Sequence, residues 1–171
     1  EHLLQGSIDA LTNHIAILDQ HGIILKVNAS WRHFAESNKF LSDNYGIGSN
    51  YIEACTPNQL PPADCDPHGL EAATGIRGVI NGTLPNFTME YPCHSPTEQR
   101  WFVMRVTRFG EGDALRLVIA HENVTERKMV EQALRASEAE LRVITDTVPG
   151  LIAYVDSEQR YRFVNATYER W

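Results

Sequence analysis

One cation interrupts a stretch that is otherwise apolar or small, "AATGIRGVI": Arg77, flanked by Gly75 and Gly78. A guanidinium is a planar fork of donors, so Arg77 could grip a carboxylate through two parallel hydrogen bonds. The glycines lower helix propensity but remove bulk, which could leave room for a ligand beside it. A second reading stays open: Arg77 faces solvent or pairs with Glu90, and the glycines serve only close packing of a helix on a sheet. Other chemistry is poorly supplied. Cys55, Cys65 and Cys93 include no Cys-x-x-Cys pair, so no metal cluster is expected. No Ser or Cys sits in an elbow motif with an identifiable base, and there is no phosphate-binding glycine loop or kinase motif, so no catalytic residues are expected.

The balance of 15 Lys+Arg against 22 Asp+Glu, a net charge of -7, argues against a general nucleic-acid binder, which needs a basic face to neutralise phosphates. No apolar run approaches the roughly 20 residues of a membrane span, so no membrane contact is expected within these residues. An odd number of cysteines without framework spacing suits a reducing, cytoplasmic compartment. Opening on Glu1 rather than Met fits an excised piece of a longer protein, whose membrane anchoring elsewhere stays open.

The elements that must position Arg77 follow from periodicity. Leu4, Ile8 and Leu11 mark one face of a short amphipathic helix within residues 1–13. Two apolar runs, Ile15 to Leu18 and Ile23 to Val27, flank "DQHG" and read as a hairpin. "ASWRHFAESN" reads as a helix with Trp31, Phe34 and Ala35 on one side, and "YIEAC" as one helical turn. The proline-rich "TPNQLPPADCDP" reads as irregular. Asp66 is the expected cap of a long helix with Pro67 at its first position, running from about His68 to Ile80. "NFTMEYPC", "RWFVMRVTRF" and "LRLVIAHENV" then read as a three-stranded meander.

From Thr125 the period changes. Val130, Leu134, Ser137, Leu141, Ile144 and Val148 are spaced 4-3-4-3-4, the apolar seam of a coiled coil, although a single amphipathic helix lying on its own domain gives a similar pattern. After Pro149 the opening returns. "IAYVDSEQRYRFVNATYERW" aligns without gaps on "IAILDQHGIILKVNASWRHF", 137 positions earlier, which a second copy of one domain explains.

"IAILDQHGIILKVNASWRHFAESN" resembles the opening of a PAS sensory domain: a hydrophobic strand, Asp, a Gly-containing turn, a second strand and Asn. "HENVTERK" resembles the family's closing Asp-Ile-Thr motif, with Asn123, Val124 and Thr125 at the three positions, so an amide replaces the acid. "EYPCHSPTEQRWFVMRVTRF" resembles the penultimate strand pair of some bacterial members. The resemblance implies an α+β fold, a PAS-like five-stranded antiparallel sheet with helices on one face, extended by a C-terminal coiled-coil linker helix. It implies a PAS domain at 14–124, a signalling helix at 125–148 and the truncated start of a second PAS domain at 149–171, its exposed hairpin edge pairing with another chain.

Members of the family hold ligands between the sheet and the long helix. On that pattern the ligand-binding candidates are Arg77, Glu90, Tyr91 and Met104, with Asn123 and Thr125 as relay residues and one of them as the cap of the linker helix. Haem is disfavoured, because His68 stands at the extreme start of its helix and Cys93-His94 leads into a hairpin turn. Flavin adduct chemistry is disfavoured because Gly48-Ser49-Asn50 is followed by Tyr51, where that branch carries Cys. The cofactor is thus unknown. The expected function is a cytoplasmic sensory and relay module of a bacterial histidine kinase or cyclic-di-nucleotide enzyme, a homodimer that binds a small ligand. A ligand-free dimerisation and relay module is the alternative.

Overall fold

The computed structural model describes residues 2–38, 44–56, 67–95 and 97–170. Cys65, the cap expected at Asp66 and the proline-rich stretch lie outside them. The chain divides into two units, Glu1–Thr125 and Glu126–Trp171.

The first unit runs α1 (His2–Asp9), β1 (His14–Asp19), β2 (Ile24–Val27), α2 (Ala29–Ser37), α3 (Tyr51–Cys55), α4 (Pro67–Ile80), β3 (Asn86–Pro92), β4 (Trp101–Phe109) and β5 (Arg116–Asn123). The strands form one antiparallel sheet in the order β2-β1-β5-β4-β3. Alternation puts Leu117 and Ile119 of β5, Met104 and Val106 of β4, and Ala16 and Leu18 of β1 into one core. Ala72, Ala73, Ile76 and Val79 of α4 close that core from above. Their spacing of one, three and three is the stripe of a helix buried on one side, and it leaves Arg77 on the exposed face.

The two glycines of α4 are packing devices. A Cβ on Gly75 would stand 2.4 Å from the ring of Phe87, and one on Gly78 would stand 2.8 Å from Leu84. The space that they leave is therefore filled by β3 and the turn before it. Leu11 lies beyond the end of α1 and is half exposed, so the opening helix is shorter than its sequence stripe.

Asn28 joins α1, the first hairpin and α2. It is fully buried. Its Oδ1 accepts from the amides of Ile15 (2.9 Å) and Trp31 (3.0 Å), and so caps α2. Its Nδ2 donates to the carbonyls of Ile8, Leu11 and Asn13 at 3.0, 3.2 and 2.8 Å. Beside it, Asp9 Oδ1 accepts from Ala29 N at 2.6 Å and from Arg32. The hairpin turn is held by Asp19 Oδ1, which accepts from His21 and Ile23 amides.

The second unit continues α5 (Thr125–Thr147), followed by β6 (Ala153–Val155), β7 (Tyr161–Val164) and α6 (Ala166–Glu169). It repeats most of the hydrogen bonds of the first hairpin. Buried Asn165 Oδ1 accepts from Ile152 N (3.0 Å) and Tyr168 N (3.1 Å), while Nδ2 donates to Thr145 O and Gly150 O. Asp146 accepts from Ala166 N at 2.7 Å, as Asp9 does from Ala29. The register irregularity between Ile17 and Leu18 returns between Tyr154 and Val155. Gly22, at φ 84°, is matched by Gln159 at φ 62°. No helix among the described residues is long and apolar enough to cross a membrane.

Replacing Asn28 by Ala strands buried amides and carbonyls together. We expect Asn28→Ala to lower unfolding stability by about 2–4 kcal/mol, read as an earlier urea midpoint. A midpoint within about 0.5 kcal/mol of wild type would show that the amide is not needed.

Candidate functional site

The sheet register places His121 of β5 opposite His14 of β1 and opposite Met104 of β4. All three point to the helix side, and a cavity of about 230 Å³ opens around the two histidines. The sheet contributes Ile24, Tyr91 and Phe102 to its wall, and Cys93, just past β3, joins them. The α2 helix contributes Trp31, Phe34 and Ala35. The segment after it adds Tyr45, Gly46 and Ser49, and α3 adds Tyr51 and Ala54. Local capping fixes these helices. Asn28 starts α2, and Asn50 Oδ1 accepts from Ile52 and Glu53 amides to start α3, which orients Tyr51 inward.

His121 is the polar centre. Its Nε2 lies 3.0 Å from Tyr51 Oη and its Nδ1 2.6 Å from Tyr91 Oη. Trp31 packs over the ring at 5.8 Å, and Tyr91 meets it edge-on at 5.8 Å. Burial holds the imidazole neutral, with its pKa down at about 4, and the nearby His14 adds to this. His14, packed between Phe34 and Phe102, is likewise lowered by burial and then by Arg100. Burial also raises both tyrosines well above the usual phenol value. At neutral pH the network is uncharged.

The sequence-derived candidates divide. Tyr91 lines the cavity, and Met104 lies one layer behind it, with its sulfur 4.0 Å from Tyr51 Oη. Arg77 and Glu90 are exposed and lie outside the lining, because they fall on the outward phases of α4 and β3. Tyr51, which stands where the resemblance would put a reactive Cys, is a wall residue. His68 is outside the lining. His94 accepts from Arg100 N and packs edge-on against Trp101, so Cys93-His94 does brace its hairpin. Among the described residues no group of three His, Cys, Asp or Glu could hold a metal ion. His121 itself was missed. Its signal is the period of two in "LRLVIAHENV", where it follows Leu117 and Ile119 onto the core face.

The relay candidates meet at the exit of the sheet. Asn123 Oδ1 accepts from Thr125 N at 3.0 Å. The Thr125 hydroxyl accepts from Trp101 N at 3.0 Å, and Val124 N donates to Trp101 O. Thr125 is the first residue of α5: of the two cap candidates Asn123 takes its amide, and the Thr125 hydroxyl ties the start of the helix to β4.

No family model matches the chain. It is 40% identical over 124 residues to an uncharacterized 104.1 kDa protein of the hypE 3' region of Rhodobacter capsulatus, covering 72% of this chain and 13% of that protein. It is 27% identical over 146 residues to the two-component sensor PprA of Pseudomonas aeruginosa, covering 81% of this chain and 16% of that sensor. The chain thus spans less than a fifth of either relative. Among solved structures, the PAS domain from Bordetella pertussis BvgS superimposes with a TM-score of 0.53 at 15% identity, covering 81% of this chain and 96% of that domain. An RNA-binding light-oxygen-voltage receptor gives 0.52 at 14% identity, covering 81% and 38%. The five-stranded sheet with its helices has the PAS fold.

Holding His121 neutral costs stability in acid. The unfolded chain takes the proton near pH 6.5, the folded one only near 4, so the unfolded state binds more protons between these values. Stability is complete above about pH 6.5 and falls by about 3 kcal/mol as the pH drops to 4. Urea unfolding across this window should show the loss, and His121→Gln should flatten most of it. Parallel slopes in the two proteins would contradict the assignment.

Proposed function

We propose that the chain is a sensory and signal-relay module of a multidomain bacterial signalling protein, of histidine kinase or cyclic-di-nucleotide type, working in the cytoplasm. A small ligand enters the cavity around His121 and shifts the packing of α2 and α3 on the sheet. The shift leaves through β4 and β5, where Trp101, Asn123 and Thr125 meet, into α5 as signalling helix. Residues 149–171 are the start of a second domain of the same kind. The carrying observation is the cavity itself: an apolar space with a hydrogen-bonded polar centre, the usual form of a small-molecule site. The likeness to a two-component sensor supports the same context.

Native mass spectrometry of freshly purified protein is the test. Wild type should carry an added small-molecule mass, and Ala54→Trp, a filling substitution at an exposed position of the wall, should lose it. A mass equal to the bare chain in each protein would leave the ligand-free relay module as the reading.

The module acts as a homodimer through α5. Val130, Leu134, Leu141 and Ile144 are all more than half exposed, and no residue of α5 is buried, so the seam is available to a second copy. Sedimentation at tens of micromolar should report a dimer that Leu134→Glu with Leu141→Glu dissociates. A monomeric wild type would remove the coiled coil from the scheme.

A further inference from the structure

The cavity around His121 also narrows what can occupy it, if it is the sensory site proposed above. Three properties of its wall bear on this.

The first is charge. Among the described residues the lining contains no Lys, Arg, Asp or Glu. Its two histidines are neutral at physiological pH. A carboxylate or ammonium group inside would lose its hydration without gaining a counter-charge. The guanidinium of Arg100 lies 5.3 Å from the centre of the Phe34 ring and is outside the lining.

The second is shape. An apolar cavity of about 150 Å³ takes benzene. At about 230 Å³ this one has room for a ring with substituents or for two fused rings. Trp31, Phe34, Tyr51, Tyr91 and Phe102 surround the space, and aromatic walls favour an aromatic guest through stacked and edge-on contacts.

The third is the polar centre. A neutral imidazole has one N–H and one bare nitrogen, so His121 donates to one tyrosine and accepts from the other. Tyr51 has a sulfur, that of Met104, as a further neighbour. The Tyr91 hydroxyl bonds only His121 among the described residues, which leaves it either a free proton or free lone pairs. A guest hydroxyl both donates and accepts, so it satisfies Tyr91 in either tautomer.

We infer that the site is built for a small uncharged aromatic molecule of one or two rings bearing a hydroxyl, seated with that hydroxyl on Tyr91 beside His121.

The probes are 2-naphthol and its anionic counterpart 2-naphthoate, titrated calorimetrically into the whole chain at neutral pH. 2-Naphthol should bind at one saturable site and 2-naphthoate roughly tenfold more weakly or not at all. Tyr91→Phe should weaken 2-naphthol about five- to tenfold, and Ala54→Trp should abolish its binding. The urea midpoint of each variant reports whether it is folded, and Ala54→Trp, at an exposed position, stands if Tyr91→Phe does not fold. Equal binding of both probes, blocked by Ala54→Trp, overturns the ligand class while leaving a sensory cavity. Failure of both probes overturns the class as well. Native mass spectrometry then separates the two cases: a retained mass lost in Ala54→Trp keeps the sensory reading, and bare chains reject it too.

Discussion

The carboxamide of Asn28 has no access to solvent; two amides donate to it and it donates to three carbonyls. Four separate features depend on it. It ends the segment after α1, sets the start of β1, fixes the crossing of the hairpin and begins α2. No hydrophobic residue could do this, because the amides of Ile15 and Trp31 would lose their acceptor. An acid could not either, since it has no protons for the three carbonyls. The α2 helix in turn supplies Trp31, Phe34 and Ala35 to the cavity, so the site inherits its geometry from this amide.

This explains why "VNA" occurs twice. Val27 and Val164 end their strands, Asn28 and Asn165 make the junction, and Ala29 and Ala166 are the first helical residues whose amides reach Asp9 and Asp146. The identity of the two motifs was visible in the sequence. The aspartates were not, because they lie before the apolar pattern begins, with different neighbours, "SIDAL" and "ITDTV". Only the hydrogen bonds show that the repeat reaches back into the end of the preceding helix.

Strands and helices were largely legible, since each shows a clean period of two or a helical stripe. The site was legible only in part. Arg77 drew attention as an isolated cation, yet the stripe Ala72, Ala73, Ile76, Val79 already turned it outward. Glycines in a helix mark small volume without saying what fills it; here it is Phe87 and Leu84. Tyr91 came from its strand. His121 and Tyr51 come together from positions 70 residues apart, and no local pattern encodes a contact of that span. The cavity arises where α2 and α3 fail to close over the sheet, which is a property of packing and not of any one segment.

The two tied ends of α5 have a consequence for the stretch between them. At Thr125 the helix is fastened to Trp101 of β4, and near Asp146 it is fastened to the second hairpin, with no buried residue between. Between those ties the helix has no core of its own within one chain. What holds it there is local: its own backbone ladder and pairs one turn apart such as Glu131 with Arg135. Most helical stability comes from a packed apolar face, so the middle of α5 is the stretch whose order costs least to lose, while its two tied ends hold.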